Sequence, residues 1–247
     1  MTLTPNIKHE RVIKNMDNRD RLIFALDVPE AAQARELTEQ LGESVTFYKL
    51  GLELMMAGGY FELIDWMVER DKKVFVDLKF FDVPATVGRA VARLASRGVT
   101  FATVHGNQGI MEAAAAAKGD TLKILAVTAL TSLDRGDLDD LGFQCDVAEL
   151  VLSRARRALE AGCDGVVASG LELPAMRKAI DRRLLVVTPG IRPVENRPSD
   201  DQKRVVTVEQ AFADGADHIV VGRPIRDAAD PRAVAEDMQK TIAGIFD

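Results

Sequence analysis

Cysteine is scarce in this chain. Cys145 and Cys163 are the only two, and no Cys-x-x-Cys spacing occurs, so neither a disulfide framework nor a zinc knuckle fits. The three histidines, His9, His105 and His218, are widely separated, and a histidine metal site would need them to converge in space. Aromatic residues make up 5% of the chain, no basic stripe with interleaved aromatics occurs, and the net charge is −6. That balance argues against nucleic acid as a partner. No apolar run approaches the roughly 18 residues that a membrane-spanning helix needs. Residues 1–20, MTLTPNIKHERVIKNMDNRD, are polar and charged and lack the apolar core of a secretory signal. The expectation is a cytoplasmic protein with no membrane role.

What the chain does contain is enough apolar material for a large core, 47% hydrophobic against 28% charged residues. One pattern recurs along it: a short β-branched run, a polar turn, then a stretch of helical period. The strand-like runs are RLIFALDV from Arg21, VTFYKLG from Val45, KVFVDLK from Lys73, VTFATVHG from Val99, LKILAVTAL from Leu122, DGVVAS from Asp164, LLVVTPG from Leu184 and HIVVGR from His218. Helix-like stretches such as AAQARELTEQL, ATVGRAVARLASRG and VAELVLSRARRALEAG lie between them, and Pro231 opens a last one. Gly98, Gly162 and Gly215 each follow a helical stretch, where a terminating glycine belongs. Near-continuous apolar strands alternating with helices indicate a parallel sheet with covered faces. Eight such units in this length favour an α/β single-domain (β/α)₈ barrel over residues 21–247, preceded by an extension at 1–20. A doubly wound open sheet competes, but no strand is followed by a G-x-G-x-x-G turn.

A barrel places its chemistry at the C-terminal ends of the strands. Polar residues fall there in register: Asp27, Lys49, Asp77 with Lys79, His105, Thr128 with Thr131, Thr188, and Gly222 with Arg223. Strand alternation puts Asp77 and Lys79 on one face, with Asp82 in the following loop, and Lys49 extends this to an alternating Lys–Asp–Lys–Asp array. A lone D-x-K is most simply a salt-bridge ring. With Asp27, Lys49 and Asp82 added, a functional reading is favoured, because charges at apolar strand ends are costly unless paired. Gly222 and Arg223 end the eighth strand, a frequent phosphate position in barrels, and Arg192 and Gln202 stand in the long seventh loop above it. The loops after strands five and seven, TSLDRGDLDDLGFQCD and PGIRPVENRPSDDQKR, read as structureless segments over the same mouth.

These motifs together resemble the bacterial type of orotidine 5′-phosphate decarboxylase from Arg21 to about Asp247. The carriers are ALDV, YKLG, DLKFFDVPAT, LTS, VTPGIRP, DDQKR and VVGRPI. Departures are Val83 where isoleucine is common and Phe81 where histidine often stands. The resemblance implies the last step of de novo UMP synthesis: loss of CO₂ from C6 of orotidine 5′-phosphate without metal or other cofactor. It implies that Lys79 stabilises the C6 carbanion and donates the proton, with Lys49, Asp77 and Asp82 as the other catalytic residues. Asp27 and Lys49 would hold ribose hydroxyls and Thr131 the pyrimidine edge. Arg192, Gln202, Gly222 and Arg223 would hold the phosphate. Asp82 and Thr86 would reach the ribose in a neighbouring subunit's site, so a homodimer with composite active sites is implied.

Two other readings compete. A magnesium-dependent sugar-phosphate barrel, such as a hexulose-phosphate synthase, shares D-x-K-x-x-D, but the TPGIRP segment and the Val83–Thr86 continuation argue against it. A non-catalytic barrel binding a phosphorylated ligand or a protein is the other, and the intact charged array argues against that.

Overall fold

The computed structural model describes residues 16–192 and 205–246. Eight parallel strands form a closed barrel: β1 (Leu22–Ala25), β2 (Phe47–Leu50), β3 (Lys73–Phe80), β4 (Phe101–His105), β5 (Lys123–Val127), β6 (Gly165–Val167), β7 (Leu185–Thr188) and β8 (His218–Val221). They pair in sequence order, and β8 returns to β1 through Leu22 opposite Ile219. All eight expected runs are strands, and the barrel, not the open sheet, is the fold.

Two apolar cores follow from strand alternation. Ile23, Ala25, Phe47, Phe75, Phe101, Leu125, Leu185, Val187 and Val220 fill the barrel interior. Their neighbours in sequence, including Phe24, Tyr48, Val76, Ala102 and Val186, face the surrounding helices. Inward positions two residues beyond the interior layer become the mouth: Asp27 after Ala25, Lys49 after Phe47, Asp77 after Phe75, Thr103 after Phe101. A core-facing period of two therefore delivers polar groups to one place without any loop having to aim them.

The helices at Ala31–Leu41 and Pro231–Phe246 match their sequence expectations, and Gly98 and Gly162 end helical segments at φ +75° and +83°. The fifth loop is not structureless. Arg135–Asp140 is helical, held by a capping box in which Asp134 accepts from the Asp137 amide and Asp137 accepts from the Asp134 amide. Six residues are too few to declare a helical period, so only the cap marked it.

The bottom of the barrel is closed by polar contacts. Asp20 pairs with Lys73 and accepts from Thr46 Oγ1 at 3.2 Å, and Met16 packs against the interior cluster. The described end of the N-terminal extension is thus part of the barrel floor. His218 lies there fully enclosed, its Nδ1 2.8 Å from the Asp20 carbonyl and its ring edge-on to Phe47 and Phe101. Burial pushes its imidazole down to about 4. The unfolded chain therefore binds a proton below about pH 6.5 that the folded chain refuses until about pH 4. Stability should fall as pH drops through that window, by up to about 3 kcal/mol. Urea midpoints between pH 7 and 4 check this: His218→Asn should flatten the slope, and an unchanged slope would assign it elsewhere.

Candidate active site

At the C-terminal mouth a cavity of about 490 Å³ is lined by residues from both halves of the barrel. Its charged floor is one continuous chain of ion pairs. Asp27 Oδ1 accepts from Lys49 Nζ at 3.0 Å, Lys49 Nζ stands 3.7 Å from Asp77 Oδ2, and that same oxygen accepts from Lys79 Nζ at 3.0 Å. Negative and positive groups alternate, so each charge removed from water has an opposite neighbour. Thr103, which sequence reasoning passed over, completes the network by donating to Asp77 Oδ1 at 2.9 Å. Its signal was present in the inward alternation of Phe101 and Thr103.

Burial alone would raise the Asp77 carboxyl. The ammoniums of Lys49 and Lys79, with hydrogen bonds from Lys79 and Thr103, outweigh it and hold the group below its ordinary value. Asp77 is accordingly a fixed carboxylate. Lys79 is more open than the carboxylate it pairs with, 36% exposed at its side chain against 13% for Asp77. A molecule in the cavity would meet its ammonium.

The local backbone explains how Lys79 gets there. Along β3, Phe75 and Val76 pair with Phe101 and Ala102, but the next pairing is Phe80 with Val104, so the strand bulges between. Lys79 sits at φ +49°, and its amide donates to Thr103 Oγ1 at 3.0 Å in place of a ladder partner. Simple alternation placed Asp77 and Lys79 together for an incomplete reason. The bulge and a left-handed residue aim the second side chain.

The other expected residues separate into groups. Thr131, Arg192, Gly222 and Arg223 line the cavity, as do Asp27 and Lys49. A Cβ on Gly222 would project to 3.5 Å from the Ala25 Cβ and 3.8 Å from the Asp27 carboxylate, so the glycine keeps this part of the cavity open. Gln202 lies outside the described residues. The stem of its loop is pinned by a bridge between Ile191 and Val206, with the Arg192 amide donating to the Val206 carbonyl at 3.0 Å.

Asp82 and Thr86 do not line this cavity. Asp82 is exposed and caps its own loop, accepting from the Val83 amide at 2.6 Å, and Thr86 accepts from Arg89 at 3.1 Å. The four-membered array therefore forms here from Asp27, Lys49, Asp77 and Lys79, with Asp82 outside it. Thr128 and Thr188 are buried, on the outward side of their strands, and do not line the cavity. His105 turns to Asn107 at 2.7 Å and packs on Phe81.

Arg226 was not singled out from the sequence. It lines the cavity one turn after Arg223 and donates to the Asp27 carbonyl at 2.7 Å, tying the eighth-strand end to the first. Its neighbour Asp227 neutralises it.

Comparison with known proteins gives a consistent answer. The chain is 70% identical over 227 residues to orotidine 5′-phosphate decarboxylase of Methylococcus capsulatus, covering 92% of this chain and 93% of that protein. It is 52% identical to the Stenotrophomonas maltophilia protein of the same name, covering 91% and 93%. Among solved structures, orotidine 5′-phosphate decarboxylase from Lactobacillus acidophilus superimposes with a TM-score of 0.80 at 35% identity, covering 90% of this chain and 99% of that one. Residues 20–238 match the family model described as orotidine 5′-phosphate decarboxylase / HUMPS, and the chain belongs to that family.

Proposed function

We propose that the chain converts orotidine 5′-phosphate to uridine 5′-phosphate and CO₂, with Lys79 as the group that meets the developing charge at C6. The observation that carries this is the paired row Asp27–Lys49–Asp77–Lys79, ending in an ammonium open to the cavity. The bond to the carboxylate breaks heterolytically, leaving an electron pair in the plane of the ring. The π system cannot accept that pair by direct conjugation, so a fixed positive charge must. Lys79 supplies the charge and then transfers a proton to C6, while Asp77 and Lys49 hold the ammonium in place. Asp77 also stands beside the departing carboxylate, so its like charge is relieved as neutral CO₂ leaves.

The remaining residues divide by subsite. Asp27 and Lys49 take the ribose hydroxyls, Thr131 the pyrimidine edge, and Arg192, Gln202, Gly222 and Arg223 the phosphate. A guanidinium fork suits paired phosphate oxygens. Binding energy from the phosphate, remote from the reacting bond, orients the ring above Lys79. Asp82 and Thr86, turned away from their own cavity, serve the second subunit of a homodimer. The exposed apolar residues Phe81 and Val83 beside Asp82 are what such a contact would cover. The expected compartment is the cytoplasm; among the described residues no helix is long and apolar enough to cross a membrane.

The test is a spectrophotometric assay of purified protein with orotidine 5′-phosphate, with and without chelator. Turnover unaffected by chelation is expected. Turnover abolished by chelation and restored by magnesium would put a metal in the reaction and overturn the cofactor-free reading, and no turnover at all would sink it.

A further inference from the structure

The cavity wall between the fifth strand and the fifth-loop helix is built from a segment with no regular structure. Val127, Ala129, Leu130 and Thr131 all face the cavity, yet neither strand nor helix spans residues 128–134. Thr128 is the last residue tied to the sheet: its hydroxyl donates to the Val167 carbonyl at 2.8 Å. Its own carbonyl accepts from Arg154 Nη1 at 2.7 Å.

Arg154 reaches Thr128 from the middle of the helix Val147–Glu160. Its stem runs past Gly106 at the end of β4, where a Cβ would come within 3.0 Å of the Arg154 Cδ and 2.8 Å of the Val127 carbonyl. The guanidinium lies 5.7 Å from the Phe143 ring, on the far side of the same loop. Burial lowers its pKa from the ordinary arginine value, so its charge is held partly out of water. A desolvated cation makes a stronger hydrogen bond to a carbonyl than a hydrated one does.

We propose that Arg154 is a positioning residue for the base-binding wall, fixing the Thr128 carbonyl so that Ala129, Leu130 and Thr131 are presented to the pyrimidine. This rests on the proposed function, which assigns that wall to the base. The ribose and phosphate groups come from β1, β2, β8 and the seventh loop, none of which touches Arg154 in the contacts above. Loss of Arg154 should therefore weaken recognition of the base and leave the rest of the nucleotide unaffected. A role confined to holding the fold would show no such selectivity.

The experiment compares two ligands by calorimetry, uridine 5′-phosphate and ribose 5-phosphate. Arg154→Ala should weaken uridine 5′-phosphate roughly 10-fold, as expected for one charge-assisted hydrogen bond, and change ribose 5-phosphate by less than about twofold. Arg154→Lys, which keeps a cationic donor, should recover part of the loss. In turnover, KM should rise by about the same factor while kcat changes less than about threefold. Should Arg154→Ala not fold, Arg154→Met keeps the apolar stem and serves the same comparison. Equal weakening of both ligands, or none for uridine 5′-phosphate, overturns the proposal. Wild-type protein that binds uridine 5′-phosphate but does not decarboxylate orotidine 5′-phosphate would overturn the proposed reaction alone. Wild-type protein that binds neither ligand would overturn both.

Discussion

Lys79→Ala should lose at least about 10⁴-fold in kcat while keeping its fold. The magnitude follows from two tasks placed on one group. Proton transfer by a positioned acid is worth about 10² to 10⁴, and one oriented charge at a developing anion about 10² to 10³. Little of the loss should appear in KM, because the residues proposed to hold phosphate and ribose are untouched. Lys79→Arg separates the two tasks. It keeps the positive charge but holds its proton too tightly to give it up, and its planar fork cannot reproduce the compact charge of an ammonium. If Lys79→Arg retains activity within about tenfold of the parent, proton donation is not the dominant role. If Lys79→Ala retains it, Lys79 is not the reacting group.

The same substitution bears on stability. Lys79 holds a left-handed backbone at φ +49°, a conformation that costs a residue with a Cβ about 1 kcal/mol. Its side chain also partners a largely buried carboxylate. The lost ion pair leaves Asp77 with Lys49 at 3.7 Å and with Thr103, so the Asp77 carboxylate retains two supports. These effects are small beside the kinetic one, and the variant should remain folded enough for its activity to be interpreted.

The β3 bulge also marks where sequence reading stops. Eight strands were legible because each is a β-branched apolar run long enough to show itself, and their order of pairing follows from the barrel. Asp27 and Lys49 were legible as site residues because a period of two carries them inward without irregularity. Lys79 was found by the same rule, yet its actual placement depends on a bulge that leaves no mark in KVFVDLK. Two short helices, Arg223–Arg226 and Leu173–Ala179, were missed for a related reason. They complete less than two turns, and their stability comes from neighbours. Arg154 escaped notice because a charged residue on an amphipathic helix looks like a solvated face until the loop beneath it is seen, and Arg226 because its short helix was not seen.

Asp82 was read as part of the array because it is three residues from Lys79 in sequence, yet it stands outside the cavity of its own chain. The proposed homodimer would reconcile the two, with the carboxylate serving a site completed by a second copy. Its surroundings favour this. Phe81 is 68% exposed and Val83 63%, an apolar pair flanking a charge that a second subunit would cover. A two-fold contact is self-complementary, so each subunit that receives an Asp82 also gives one.

Mixing two inactive proteins tests this. Lys79→Ala contributes an intact Asp82, and Asp82→Ala contributes an intact Lys79. In a mixed dimer, one site then combines the two intact residues and the other combines both defects. Random exchange at equal concentration makes half the dimers mixed, so about one quarter of the parent activity should return from near zero. A double variant carrying both substitutions on one chain, mixed with itself, should recover nothing. Exchange is followed independently by mass spectrometry of differently labelled subunits. Mixed dimers present at the expected fraction, with activity still at the level of the separate variants, would assign Asp82 to its own subunit or to no site at all. Recovery to one quarter would assign each working site one lysine and one aspartate from different chains. The exposed carboxylate and the cavity that lacks it would then be two halves of one catalytic unit.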